Sequence, residues 1–393
     1  MTTPLNLDDR ELDACVSCGL CLPHCPTFRV SGEEAYSPRG RIDAMRSVER
    51  AGLPIDEAFV EFMETCVQCR GCEPACPSGV PFGSLMEDTR RALVEHRASV
   101  PWWHRPAYRL LRHHRLLLAA TSALAVAQRL RLVPRRIALP ELPLRPPPPL
   151  TSTGDDVWLF TGCVMDAWQR DVHHAAAALV AATGATFRVP GSGGDCCGAL
   201  HHHAGLHDAA VDAAASVMAS MPGDAPIVVD SAGCGAALKE YGSLLGTPEA
   251  AAFSARVRDV HEWLAPRLAA ASSVSSPRRP AVIVQDPCHL RHVQRAHLPV
   301  RTVLGTVADI VELDDAGLCC GAGGVYSALE PELAAAVRER KVAAIRRAAE
   351  ATGATVVASA NPGCILHLQA ALDDIAVRHP VVIIAEELGL VDR

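Results

Sequence analysis

Two runs of cysteine with identical spacing, Cys15/Cys18/Cys21/Cys25 and Cys66/Cys69/Cys72/Cys76, restrict the possible folds of this chain more than any other feature. Each run reads C-x2-C-x2-C-x3-C and is followed by a proline, Pro26 or Pro77. Three thiolates two residues apart can wrap one face of a cubane while the fourth points away, and in two-cluster ferredoxins that fourth cysteine ligates the other cluster. The spacing therefore assigns Cys15, Cys18, Cys21 and Cys76 to one [4Fe–4S] cluster. Cys66, Cys69, Cys72 and Cys25 hold a second. Gly19 and Gly71, between ligands, let the backbone approach and aim N–H groups at the sulfurs. The competing reading is a pair of zinc sites. Zinc takes four tetrahedral ligands, commonly from two separated C-x2-C pairs, and the doubled compact run fits that poorly. The 40 residues between Cys25 and Cys66 exceed a minimal ferredoxin and imply added helices around Arg39-Gly40-Arg41-Ile42.

The other eight of the 16 cysteines form two looser sets. These are Cys163, Cys196, Cys197 and Cys234, then Cys288, Cys319, Cys320 and Cys364, with 32 and 36 intervening residues in the first against 30 and 43 in the second. A duplicated unit with one longer loop gives that pattern. Disulfide scaffolds are usually small, secreted and poor in core. This chain has 393 residues, 49% of them hydrophobic, and no basic-then-apolar leader is visible at Met1 to Arg10. Grouped thiols in a reducing cytosol, bound to metal, are the better reading. A net charge of −7 and 4% aromatics give no reason to expect nucleic acid. No stretch reaches the roughly 18 to 20 apolar residues of a membrane span.

Short apolar runs end at several of these cysteines. Val157–Phe160 leads to Gly162-Cys163, Ile227–Val229 to Ser231-Ala232-Gly233-Cys234, Ala281–Val284 to Asp286-Pro287-Cys288, and Thr355–Ala358 to Asn361-Pro362-Gly363-Cys364. Alternation with helical stretches implies two α/β units with largely parallel sheets, whose sites form at the carboxyl ends of strands. Vicinal cysteines (Cys196-Cys197, Cys319-Cys320) are strained as disulfides and plausible as joint ligands. The expected organisation is a mostly helical two-[4Fe–4S] unit over 1–96, a basic, proline-rich linker over 97–150, and α/β units over 151–276 and 277–393. The linker holds ten Arg against one acidic residue, Glu141, and ends in Pro146–Pro149. Ser272–Ser276 and Pro280 mark the boundary between the α/β units.

At this point the sequence resembles a known family. The C-terminal half is similar to the CCG, or cysteine-rich, domains of heterodisulfide reductase and related redox subunits. Joined to a two-cluster ferredoxin, it resembles the iron–sulfur subunit family of bacterial glycolate oxidase (glycolate dehydrogenase). The matching residues are Pro38–Arg41, Gly162-Cys163-Val164, Cys196–His201, Ser231–Gly235, Lys239–Tyr241, Asp286–Leu290, Leu318–Gly321 and Asn361–Cys364. The resemblance implies an electron-carrying, itself non-catalytic subunit, whose FAD-containing 2-hydroxy-acid dehydrogenase partners oxidise glycolate to glyoxylate. Electrons then pass to a quinone or another acceptor, with peripheral contact to the inner face of the cell membrane as one arrangement. Lactate or glycerol-3-phosphate oxidation, or a heterodisulfide reductase-like catalytic role, are the alternatives. Heterodisulfide reductase-type motifs carry a further cysteine three residues after the last, where this chain has Ala237 and His367. The CCG cysteines are therefore read as Fe–S or zinc sites, or as reduced thiols.

Weaker signals remain. His201-His202-His203 with His207 reads as a partner-facing or solvated run, since consecutive helical residues point in different directions. His367 reads as structural. Gly191-Ser192-Gly193-Gly194 lacks the Lys-Ser/Thr of a phosphate loop. Trp102-Trp103, Arg105, Arg109, Arg112 and Arg115 precede an apolar stretch, Leu116–Ala127. This reads as a linker helix packed on the domains or a partner, with an interfacial membrane helix as the alternative.

Overall fold

The computed structural model describes residues 5–96, 99–133, 142–191, 193–268, 279–315 and 317–392. Arg97, Glu141, Ser192 and the stretch 272–276 lie outside them. Among the described residues no helix is long and apolar enough to cross a membrane.

The N-terminal part is built of helices and cysteine loops. Pro38–Ala51 starts where Ser37 Oγ accepts the Gly40 N–H at 3.0 Å, with Pro38 in the first turn, and ends at left-handed Gly52. Its apolar face, Ile42, Met45 and Val48, meets Phe59 and Met63 of the helix Glu57–Glu64, and Leu85, Met86 and Leu93 of Phe82–Glu95. Pro38–Ala51 and Glu57–Glu64 are the extra helical material expected between the cysteine runs.

The remainder holds two four-stranded sheets of the same design. In the first, β1 (Val157–Phe160), β2 (Phe187–Arg188), β3 (Ile227–Val229) and β4 (Val257–Asp259) lie in the order β2-β1-β3-β4. In the second, β5 (Ala281–Gln285), β6 (Asp309–Glu312), β7 (Val356–Ser359) and β8 (Ala376–Arg378) lie in the order β6-β5-β7-β8. All six pairings are parallel, with Leu159 opposite Val228 and Ile283 opposite Val357. The central strands β1 and β3 are buried along their whole length, as sheets covered by helices on both faces require.

The two sheets share one core. Leu159, Val172 and Leu179 of the first unit join Val284, Val303, Val381 and Ile384 of the second in a single apolar cluster. The backbones also meet: Ala232 N–H donates to the Ala360 carbonyl at 3.1 Å, and Gly233 N–H to Asn361 Oδ1 at 3.1 Å.

Candidate iron–sulfur sites

The two N-terminal cysteine runs fold alike. Ser17 and Gln68 stand at φ 56° and 55°, and two residues on Gly19 and Arg70 stand at 84° and 56°. Repeated left-handed residues curl each loop so that its cysteines face one way. At Gly19 the left-handed backbone favours glycine, and a Cβ there would make the Arg39 guanidinium, 2.8 Å away, shift. Arg70 holds the same backbone against a cost of about 1–2 kcal/mol. Its guanidinium is fixed by Glu73 at 2.9 Å and by Glu240.

The second loop borders a small hollow. Cys25, Cys66, Cys69 and Cys72 all line it, and so does Arg41. Cys25 thus sits with the three cysteines of the other run. Cys15, Cys21 and Cys76 pack at the edge of the N-terminal core, and Cys18 is exposed. Every one of the 16 cysteines is a free thiol. Burial raises the Cys72 thiol, and crowding by Cys69, Cys66 and Cys25 raises it further. A thiol so held stays neutral by itself and gives up its proton to a metal, whose charge inverts the balance.

Arg41 is 1% exposed and hydrogen-bonds only neutral groups: the carbonyls of Phe62 (2.6 Å) and Tyr36 (2.6 Å), and the hydroxyls of Thr27 and Thr65. A buried guanidinium without a carboxylate needs an anionic neighbour, and thiolates around the hollow provide one. The residues present fit a [4Fe–4S] cluster, which supplies a one-electron store when bound.

In each sheet unit the cysteines gather at the carboxyl ends of the two central strands. Successive connections leave those strands in opposite directions, which opens a crevice there. Cys163 follows β1 and Cys234 follows β3, while Cys196 and Cys197 come from the loop after β2. Cys197 and Cys234 sulfurs are 3.4 Å apart, and Cys163 packs with Cys196 in one buried cluster. Cys288, Cys319, Cys320 and Cys364 occupy the matching places in the second unit. There Cys320 and Cys364 sulfurs are 3.1 Å apart, and Cys319 bonds both Cys288 and Cys320. Hydrogen bonds from Cys319 and Cys364 hold the Cys320 thiol well below its usual range. Tyr241, fully buried, donates its hydroxyl to the Cys197 carbonyl at 2.9 Å and braces the first set. The His367 ring lies 3.3 Å from the Ala334 carbonyl, a structural placement.

The N-terminal part docks directly on these sites. Cys69 and Cys319 pack in one buried cluster, so a thiol of the ferredoxin-like half lies against a thiol of the second sheet unit. Around this contact, Val67 packs with Tyr326, whose hydroxyl donates to the Thr65 carbonyl at 3.2 Å. Gly323, at φ 52°, leaves room for Val67, which a Cβ would approach to 3.0 Å.

Within the histidine run, His201, His202 and His203 depart from the solvated reading and turn inward. His201 is buried, and His202 and His203 reach Glu87 of the N-terminal part at 2.9 and 3.3 Å. Nothing in the sequence singled out Glu87, an ordinary helix-face residue, because its partners lie over a hundred positions away. Burial alone would raise the Glu87 carboxyl, but its hydrogen bonds from the two histidines hold it far below the usual carboxylate range. His202 is opposed by burial too, yet the Glu87 bond raises it above the ordinary value near 6.5. The glutamate contribution is present above its unfolded pKa and lost in acid. The histidine contribution is full below about pH 6.5 and lost as pH rises through the raised value. Docking of the two halves is expected to be tightest near pH 5–6.5 and to loosen above neutrality. Hydrogen exchange of the Glu87 helix measured against pH checks this, and Glu87→Gln should flatten the profile.

The basic segment folds as helices Arg105–Arg112 and His114–Arg129 over the first sheet unit. Leu110, Leu111, Leu117 and Leu118 pack against Cys163 and Cys196, so the inner face lies on the domains, as the plainer reading had it. The polyproline end is also held: Arg170 Nη1 donates to the Pro147 carbonyl at 2.8 Å.

A family model described as a 4Fe-4S dicluster domain matches residues 11–80, and a cysteine-rich domain model, CCG, matches 157–239 and 282–369. Among curated proteins, the probable glycolate oxidase iron-sulfur subunit of Bacillus subtilis is 32% identical over 93% of this chain and 90% of its own length. The glycolate oxidase iron-sulfur subunit of Escherichia coli is 29% identical over 97% and 95%. A dihydromethanophenazine:CoB--CoM heterodisulfide reductase subunit of Methanosarcina barkeri is 27% identical, again over 97% and 95%. A two-cluster ferredoxin-type unit followed by two CCG units, related along nearly its whole length to the Bacillus protein, places this chain in the glycolate oxidase iron–sulfur subunit family.

Proposed function

We propose that this chain is the electron-carrying subunit of a complex whose FAD-containing partner oxidises a 2-hydroxy acid, glycolate, and that the chain itself performs no substrate chemistry. Electrons leave the partner's flavin one at a time, enter the two [4Fe–4S] clusters, and go on towards a quinone or another acceptor. The ligand sets are crosswise: Cys15, Cys18, Cys21 and Cys76 for one cluster, Cys66, Cys69, Cys72 and Cys25 for the other. In this reading residues 1–96 carry the clusters, 97–150 connect, and 151–276 and 277–393 are the duplicated CCG units. The chain works on the cytoplasmic side.

The observation that carries the proposal is the hollow ringed by Cys25, Cys66, Cys69 and Cys72, one of whose thiols lies against Cys319. That contact makes Cys288, Cys319, Cys320 and Cys364 the next station on the route. The glycolate assignment rests on the names of the Bacillus and Escherichia relatives. A heterodisulfide reductase-like catalytic role is weakened by Ala237 and His367, which stand where such motifs carry the further cysteine.

Anaerobic purification with iron, sulfide and zinc analysis, followed by EPR on stepwise reduction, tests the reading. About eight irons per chain with two interacting cubane signals are expected from the N-terminal half. Iron clearly above that number, with a signal lost in Cys319→Ala, places the CCG cysteines on the path. Zinc in place of iron at the N-terminal cysteines overturns the proposal.

A further inference from the structure

The helix His114–Arg129 is apolar on two opposite sides, and the chain itself uses only one of them. On the inner side Leu117 and Leu118 pack with Cys163 and Cys196, Ala125 is buried, and Trp168 Nε1 donates to Thr121 Oγ1 at 3.2 Å. On the outer side Leu116, Ala119, Ala123, Val126 and Leu130 fall at i, i+3, i+7, i+10 and i+14, one face of a helix, and all are exposed. Leu116 is 59% and Leu130 64% open to solvent. A helix lying on a domain ordinarily turns polar residues outward. This one does not.

The charge around the stripe is equally one-sided. Residues 99–133 hold six arginines and no aspartate or glutamate, in a chain whose net charge is −7. Arg112 reaches Asp212 at 3.3 Å, but Arg105, Arg109, Arg115 and Arg131 make no ion pair among the described residues. Trp102 and Trp103, among the most exposed apolar side chains described, stand beside Arg105.

We propose that this outer face docks on an anionic lipid surface, with Leu116, Val126, Leu130 and the two tryptophans entering the headgroup layer and the unpaired arginines meeting lipid phosphates. Leucine and tryptophan with arginine alongside is the composition that seats a helix in a bilayer interface. An acidic chain approaches such a surface only if its positive charge is gathered on one side, as it is here. A protein partner would call for a knob or pocket and an acid to set its register. Between its end leucines the stripe is mostly alanine, shallow and without either. The inference rests on the functional reading for the quinone acceptor and deepens it by fixing the exit side. The inner side of the same helix covers Cys163 and Cys196, so docking sets those thiols about one helix diameter, roughly 10 Å, from the lipid in which a quinone dissolves.

The test uses the full holoprotein, purified anaerobically, with vesicles of phosphatidylcholine alone and of phosphatidylcholine mixed with phosphatidylglycerol. Flotation measures binding, and quenching of tryptophan fluorescence by brominated lipid reports entry into the bilayer. The chain is expected to float with the mixed vesicles only, and quenching is expected to disappear in Trp102→Phe/Trp103→Phe. Arg109→Gln/Arg115→Gln should weaken binding on the order of 30-fold, the effect of two cations near the surface. Leu116→Glu/Leu130→Glu should abolish flotation while iron content and EPR signals stay at wild type. Leu298→Glu, at an exposed leucine elsewhere, is expected to float like wild type. Wild-type protein with intact clusters that stays off the mixed vesicles, or floats equally with both kinds, overturns this inference and leaves the functional reading standing. So does a Leu116→Glu/Leu130→Glu chain that still floats but sheds a bound protein, which gives the face to a protein partner. Zinc in place of iron overturns the functional reading whatever the vesicles show.

Discussion

Replacing Cys25 with alanine is expected to remove the cluster at the second cysteine run and spare the one at its own. Iron should fall from about eight to about four per chain, and the spin–spin interaction between the two centres should vanish. The reason is geometric. Cys25 leaves its own run through the turn at Pro26 and lines the hollow shared with Cys66, Cys69 and Cys72. Its sulfur lies 3.3 Å from Thr27 Oγ1 and 3.4 Å from the Tyr36 carbonyl, which fix the rotamer that points there. Cys76→Ala should give the complementary loss. EPR distinguishes the two variants because the outer cluster, beside exposed Cys18, relaxes in a wetter setting than the inner one. Loss of the first cluster in Cys25→Ala would show that each run holds its own cubane.

Arg41→Ala is expected to have the largest effect of any substitution outside the ligands. It takes one donor from each of the Phe62 and Tyr36 carbonyls, leaving them to the Thr65 and Thr27 hydroxyls, and removes the buried cation facing the thiolates. Breaking such an arrangement costs about 3–5 kcal/mol. The cluster should also become harder to reduce. A unit charge beside the cluster, in a medium of effective dielectric near 20, is worth on the order of 2 kcal/mol, or about 80 mV for one electron. Arg41→Lys separates the two effects: it keeps the charge but not the forked donors, so stability should fall while the potential stays within about 30 mV of wild type. Chemical denaturation and redox titration of the holoprotein check both. An unchanged potential in Arg41→Ala would mean that the guanidinium is screened from the cluster.

Much of this was legible in the sequence because the signals are local. The strands β1, β3, β5 and β7 are largely apolar runs rich in Val and Ile that end near cysteines, and each appears where its apolar run stands. The edge strands β2, β4, β6 and β8 went unread. Phe187–Arg188 and Val257–Asp259 are too short for a pattern, and only pairing with a central strand makes them strands. The cysteine sets were legible for a related reason: vicinal cysteines and strand-end cysteines mark the same crevice twice over.

The contacts that join the two halves were invisible, since they depend on residues far apart. Glu87 with His202, Val67 with Tyr326 and Cys69 with Cys319 carry no mark in their own neighbourhoods. Histidines that read as a solvated run are therefore the ones clamped across the interface. Arg41 lies between these cases. Its motif pointed to the family, but its burial needed the fold.

The inner loop also bears on how such a chain can be divided or recombined. By sequence it is a cluster-bearing half tied to a duplicated half by a proline-rich string, an arrangement that invites transplanting either piece. Cutting there would strip cover from Val67 and Cys69, leave Glu87 without its imidazoles, and open Arg70 to water. The front half is accordingly not an autonomous ferredoxin with a passenger attached. Any relative that carries the same halves on separate polypeptides has to rebuild this seam as an obligate interface, and drift on one side of it must be answered on the other.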